Sequence, residues 1–87
     1  MPRVYIPPLM RSLTGGVEQV DVPGQTVRQL VAGLDERYPG LRDRLCDGDD
    51  LKPGIAVAVD GHVTSRGLLQ KVSPTSEVHF LPAIGGG

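Results

Sequence analysis

The chain predicts a small two-layer α+β domain, with one sheet covered by one helix. Three observations carry that expectation. Short runs near residues 3–6, 17–22, 55–59 and 77–81 alternate or cluster apolar residues as strands do. A single segment, residues 27–34, repeats them at helical spacing. The order is strand, strand, helix, strand, short piece, strand, so one amphipathic helix has one sheet to cover, which fits two layers better than a sandwich or a bundle. With 87 residues the chain is one domain. At that size it buries about 60–65% of its unfolded surface, so its core is modest and its stability marginal.

Val4 and Ile6 share one face of the first run, with Arg3 and Tyr5 on the other. Pro7 and Pro8 end it, since proline donates nothing to a ladder. Residues 9–14 read as a connection with some apolar weight, and Gly15-Gly16 as a turn. Residues 17–22 resume the alternation less cleanly, so the first two runs read as a hairpin with a long loop.

Pro23-Gly24 breaks the second run, and Thr26 reads as an N-cap with Gln29 three residues later, the spacing of a capping box. Val27, Leu30, Val31 and Leu34 lie at offsets 0, 3, 4 and 7, one helical face. Gly33 costs about 1 kcal/mol against Ala inside a helix, and close packing beside the apolar stripe would account for it. Pro39-Gly40 stops the helix after Tyr38.

Residues 41–54 are charged and rich in Asp and Gly, with Leu41 and Leu45 able to pin one short helical turn. Ile55–Val59 is nearly continuous in apolar character and reads as a strand buried on both faces or nearly so. Asp60-Gly61 signals a tight turn, after which His62, Val63 and Thr64 pair briefly. Leu68 and Leu69 fall in an irregular stretch, and residues 73–76 in a turn. Residues 77–81 make the last strand, with Val78 and Phe80 inward. Tyr5, His79 and Leu81 then share the open face and, with Pro82 and Ile84, read as a docking patch near the tail.

Composition excludes several function classes. Nine basic residues against ten acidic ones give a net charge of −1, which argues against nucleic acid as a partner. Cys46 is a single cysteine, so no internal disulfide forms and a reducing, cytoplasmic setting is expected. No apolar run is long enough for a membrane span, and residues 1–3 lead into a strand and not into a signal sequence. Cys46 reads as an ordinary residue of a charged loop. His62 and His79 lack partners at ligand or triad spacing and read as solvated or interface histidines. Asp47, Asp49 and Asp50 lack the alternating frame and closing Glu of a calcium loop, so no metal site is expected.

The feature that most constrains function is Gly85-Gly86-Gly87. Read as the true C-terminus, these residues form a thin, flexible arm with one reactive group at its tip. Without a Cβ the arm suits a narrow channel, and three residues reach about 10 Å beyond the last packed one. That distance takes a carboxylate into another protein's active site.

A strand pair, a capped helix opening Thr26-Val27-Arg28-Gln29-Leu30, a strand ending Val59-Asp60-Gly61 and a last strand running through Pro82-Ala83-Ile84 into the glycines together resemble the ubiquitin-like sulfur carriers, the group of the molybdopterin synthase small subunit and the thiamine-pathway carrier. The resemblance spans nearly the whole chain. It implies a β-grasp fold over residues 1–84, a mixed sheet of four to five strands on one main helix, with residues 85–87 as tail. It also implies adenylation at Gly87 by an ATP-using activating enzyme, sulfuration to a thiocarboxylate, with a sulfurtransferase as one source, and donation of that sulfur to an acceptor enzyme. The chain itself would bind no cofactor and act as a protein substrate, not an enzyme. Gly85 departs from relatives that carry a small non-glycine residue there, which loosens the tail without altering its chemistry. The Pro82-Ala83-Ile84 spelling favours carriers serving cysteine or other thio-metabolites over molybdopterin, with thiamine also open. The same tail permits a second fate, conjugation to lysines as a ubiquitin-like modifier. A plain interaction domain with an idle tail is the third.

Overall fold

A computed structural model describes residues 1–82. Its elements are β1 (Arg3–Tyr5), a 3₁₀ segment (Pro8–Thr14), β2 (Gln19–Asp21), α1 (Val27–Arg37), α2 (Leu41–Leu45), β3 (Cys46–Asp47), β4 (Asp50–Leu51), β5 (Ile55–Val59), β6 (His62–Thr64), a second 3₁₀ turn (Gly67–Leu69) and β7 (Glu77–Pro82). Five strands form one mixed sheet in the order β2-β1-β7-β5-β6, and β3 pairs with β4 as a separate hairpin. β1 runs parallel to β7, with Val4 opposite Val78, and the other neighbours are antiparallel. This is the mixed sheet on one main helix that the family resemblance implied.

Helix α1 forms where the spacing placed it. The Thr26 hydroxyl accepts from the Gln29 N–H at 3.3 Å, while Gln29 Oε1 accepts from the Gln25 N–H at 2.7 Å. The capping box is therefore displaced by one residue on its return arm. Val27, Leu30, Val31 and Leu34 are all buried. They meet Val4, Val20, Val57, Val78 and Phe80 from the sheet in one core. Gly33 lies against Val22, and an ideal Cβ there would stand 2.6 Å from Val22 Cγ1, so glycine is what lets the helix sit this close. The helix ends at Arg37, one residue before the predicted stop, with Tyr38 as its cap.

Several expectations are corrected. The connection over residues 9–14 is a 3₁₀ helix. The second strand shrinks to three residues, and Val22 is buried outside it, its N–H donating to the Pro2 carbonyl at 3.0 Å. In β5 one residue of each face is buried, Val57 toward the core and Ala58 on the open face, while Ile55 and Val59 are half-buried at the ends of the core-facing row and Ala56 is half-buried on the open face. Cys46 is not a loop residue: it is buried in β3 and joins the core cluster. Leu41 and Leu45 do pin α2, and both are fully buried.

Asp60-Gly61 makes the β5–β6 turn with φ of 53° and 84°, the left-handed pair that a type I′ hairpin requires. Asp60 also ties that turn to β7. Its Oδ1 accepts from the Glu77 N–H at 2.9 Å, its Oδ2 accepts from the buried Ser76 hydroxyl at 3.2 Å, and its N–H donates to the Glu77 carbonyl at 2.9 Å. The first residue of β7, paired with Arg3 of β1, is thus also clamped to the β5–β6 turn.

Candidate functional site

The site is built around β7. This strand lies third of five, hydrogen-bonded to β1 on one side and β5 on the other, and Pro82 is its last residue. The pairing with β1 covers Glu77–His79 and the pairing with β5 covers Val78–Pro82, so the strand is held to its last described residue. Ala83, Ile84 and the predicted tail residues Gly85, Gly86 and Gly87 lie outside the described residues.

The open face of the sheet carries one cross-strand row, Gln19–Tyr5–His79–Ala58–Val63, read directly from the pairing. At its centre the Tyr5 and His79 rings stack with centroids 4.1 Å apart and planes 6° from parallel. Ala58 is small enough to be buried between its neighbours, while Val63 is exposed. Leu81 follows two residues on, opposite Ala56 and exposed. The structure therefore brings Tyr5, His79 and Leu81 together on this face, toward the exit of the chain.

Pro82 stands on the opposite pleat. It lines an apolar groove of about 230 Å³ with Pro7, Leu9, Met10, Leu45 and Phe80. Leu9 is 90% exposed on the rim. The sequence reading passed over this groove. Its only signal was the Leu9-Met10 pair inside a segment read as a connection, and nothing local says that the segment packs beside α2 and shares a groove with the end of β7.

Other candidates resolve as ordinary surface or core. His62 is exposed, with Nδ1 3.1 Å from the Asp60 carbonyl. Asp47, Asp49 and Asp50 lie exposed in or beside the β3–β4 hairpin, and Asp49 Oδ1 accepts from Arg28 Nη2 at 2.8 Å. Among the described residues no group of three or more His, Cys, Asp or Glu side chains is placed to hold a metal ion. None of the described helices is long and apolar enough to cross a membrane. Burial pushes the Cys46 thiol above its ordinary pKa, only partly offset by Arg42 and Arg28. The thiol is therefore a poor nucleophile at neutral pH.

With this geometry in hand, the relatives are informative. The ThiS family model matches residues 4–87, nearly the whole chain and through the three glycines. The chain belongs to the ThiS family. The sulfur carrier protein CysO of Mycobacterium tuberculosis is 32% identical over 91 residues, covering 97% of this chain and 96% of the relative. Among solved structures, a chain of the Amycolatopsis orientalis BexX/CysO complex superimposes with a TM-score of 0.90 at 31% identity over the full length of both. The crystal structure of Mycobacterium tuberculosis CysO gives 0.87 at 28% identity, covering 97% of this chain and all of that one. The β-grasp expectation holds across the described residues of this ThiS-family chain, and the resemblance to ubiquitin-like sulfur carriers is borne out at full length.

Proposed function

We propose that the protein is a sulfur carrier whose cargo rides on the terminal carbonyl of Gly87. The observation that carries this reading is the full-length ThiS-family match continuing from the clamped strand β7 through Gly85, Gly86 and Gly87. Relatives of matching length that bear the name sulfur carrier protein support it.

The chemistry follows from what a carboxylate lacks. At neutral pH it is a poor acyl donor, because its charge repels nucleophiles and oxide leaves badly. A partner enzyme supplies ATP, the Gly87 carboxylate attacks the α-phosphorus, and pyrophosphate departs. Sulfide then attacks the acyl carbon, the bond to the phosphate oxygen breaks, AMP leaves and one proton is released. A persulfide donor performs the same attack, provided a thiol afterwards reduces the resulting acyl disulfide. The product is a thiocarboxylate, nucleophilic at sulfur and tethered to a domain that an acceptor enzyme can grip. The carrier contributes a substrate group, and its partners contribute the catalysis and the nucleotide.

Tyr5, His79 and Leu81, with Pro82 and Ile84, form the docking patch in this reading. The support is the placement of Tyr5, His79 and Leu81 on one face of the sheet and of Pro82 at the end of β7, while Ile84 lies outside the described residues. The relatives named CysO and the Pro82-Ala83-Ile84 spelling favour cysteine or another thio-metabolite as destination over molybdopterin or thiamine.

The test is incubation of the protein with ATP, the adenylating enzyme of its own source and sulfide, followed by intact mass measurement. A carrier gains the mass of one sulfur-for-oxygen exchange. Lysine-linked high-mass adducts would identify a protein modifier instead, and no ATP-dependent change would leave the tail idle. A single residue appended after Gly87, or Gly86→Val, should abolish pyrophosphate exchange into ATP while the fold survives. Exchange at the wild-type rate would refute the narrow-channel argument.

A further inference from the structure

The groove at the foot of β7 has no part in the chemistry of Gly87, yet it sits where the tail departs. We propose that it receives an apolar side chain of leucine or phenylalanine size from an acidic segment of the adenylating enzyme. The inference rests on the sulfur-carrier reading and deepens it by assigning the enzyme a second grip, on the other side of β7 and meeting the open-face patch at Leu81 and Pro82.

Size comes first. A dry cavity of about 150 Å³ accepts a benzene ring, and this groove offers about 230 Å³. None of its lining residues carries a charge. Leu9 is 90% exposed, and it is held on a formed lip. The Met10 N–H donates to the Pro7 carbonyl at 2.9 Å, the Gly16 N–H to the Arg11 carbonyl at 2.8 Å, and Arg11 Nε to the Ile6 carbonyl at 3.1 Å. A lone exposed leucine means nothing. One that continues into an apolar groove, with exposed Leu81 at its other edge, makes a contiguous patch.

Position decides the partner. Pro82 lines the groove, and five residues separate it from the end of the sequence at Gly87. Fully extended, they span about 17 Å. An enzyme that closes its active site on Gly87 therefore has surface within reach of the groove.

Charge decides the partner's chemistry. Arg11 adjoins Met10 and Arg44 adjoins Leu45, both lining residues. The Lys52 N–H donates to the Leu45 carbonyl at 2.9 Å, and the Lys52 carbonyl accepts from Ile55, also on the wall, at 3.0 Å. Among the described residues neither Arg44 nor Lys52 has an ion-pair partner, whereas Arg11 lies 3.8 Å from Glu18. Asp43 faces elsewhere, into a depression shared with Asp35 and Arg42. An apolar centre whose lining residues have basic neighbours along the chain fits an apolar anchor flanked by carboxylates. The anchor supplies affinity, and the charges supply orientation and association rate.

The experiment measures the KM for the carrier in ATP–pyrophosphate exchange by the source organism's adenylating enzyme. Four proteins are compared: wild type, Leu9→Asp, the double variant Arg44→Glu/Lys52→Glu, and Leu69→Asp. Leu69 is 65% exposed on the second 3₁₀ turn, outside the groove, and serves as the control. Leu9 is nearly fully exposed, so its substitution leaves the core intact, and the charge variant changes surface residues only. The expected result is a KM raised at least tenfold by Leu9→Asp and at least threefold by the charge reversal. Leu69→Asp should stay within twofold of wild type. The wild-type KM should also rise with salt, and the charge-reversed KM should rise less. A KM within twofold of wild type for both groove variants overturns the inference and leaves the sulfur-carrier reading standing. So does an equal effect from Leu69→Asp. Absence of exchange with wild type overturns the carrier reading, and the inference with it.

Discussion

Replacing Gly33 with alanine pits two known effects against each other, and the geometry decides between them. In an exposed helix interior, Gly→Ala stabilises by about 1 kcal/mol. Here the new methyl would stand 2.6 Å from Val22 Cγ1. Val22 is fully buried and β-branched, so it has no free rotamer into which to retreat. Relief must come from moving α1 or the segment that carries Val22, and overpacking of that kind costs about 1–3 kcal/mol. The balance is a net loss of about 1 kcal/mol, or roughly 4–8 °C in Tm for a domain of this size. Urea unfolding followed by circular dichroism measures it. The second arm is the double variant Gly33→Ala/Val22→Ala. With the valine methyls gone the clash vanishes, and the added alanine should be neutral or stabilising by about 1 kcal/mol. The cycle should therefore show a coupling of about 1–3 kcal/mol between positions 22 and 33. A Gly33→Ala protein as stable as wild type, or a coupling near zero, would refute the claim that glycine is there to let the helix close on the sheet.

Asp60→Ala strips β7 of its clamp, leaving the Glu77 N–H without a side-chain acceptor and the buried Ser76 hydroxyl proton without its carboxylate partner, with Ser73 Oγ at 3.1 Å as the remaining one. It also puts alanine at φ 53°. The expected loss is about 1–3 kcal/mol in urea midpoint analysis, and Asp60→Asn should lose less. Thr26→Ala removes the acceptor for the Gln29 N–H and should cost about 1 kcal/mol, read from thermal unfolding. Cys46 carries a pH signature. Its folded pKa lies above its unfolded value, so the unfolded thiol ionises first as pH rises. The Cys46 contribution to stability should be constant below about pH 8.5 and decline above it, and Cys46→Ser should abolish that share of the decline. At neutral pH, alkylation of native Cys46 should proceed far more slowly than in denaturant.

Much of this arrangement was legible in the sequence because local pattern and tertiary packing agree. The 0, 3, 4, 7 spacing of Val27, Leu30, Val31 and Leu34 located α1 and its buried face, and Leu41 with Leu45 located α2. Alternation in residues 77–81 gave both faces of β7, which is why Tyr5, His79 and Leu81 were placed together. What was not legible depends on distant neighbours. The 3₁₀ segment at Pro8–Thr14 has no period of its own, and its packing beside α2 exists only in three dimensions. Cys46 sits among charged residues, and its burial comes from a two-residue strand that sequence patterning cannot see. Ile55–Val59 looked buried throughout, and Val57 and Ala58 are, but apolar character alone does not show that Ile55 and Val59 lie at the ends of the core-facing row, nor that Ala56 is half-open on the other face. The groove went unseen for the same reason: its walls come from residues as far apart in sequence as Pro7, Leu45 and Pro82.

The most direct measurement is to locate the sulfur. The protein is loaded with ATP, the adenylating enzyme and sulfide, then fragmented intact in the mass spectrometer. The account predicts that one sulfur replaces one oxygen in the fragment containing Gly87 and that fragments containing Cys46 are unchanged. Sulfur added at Cys46, or found nowhere in the chain, would contradict it.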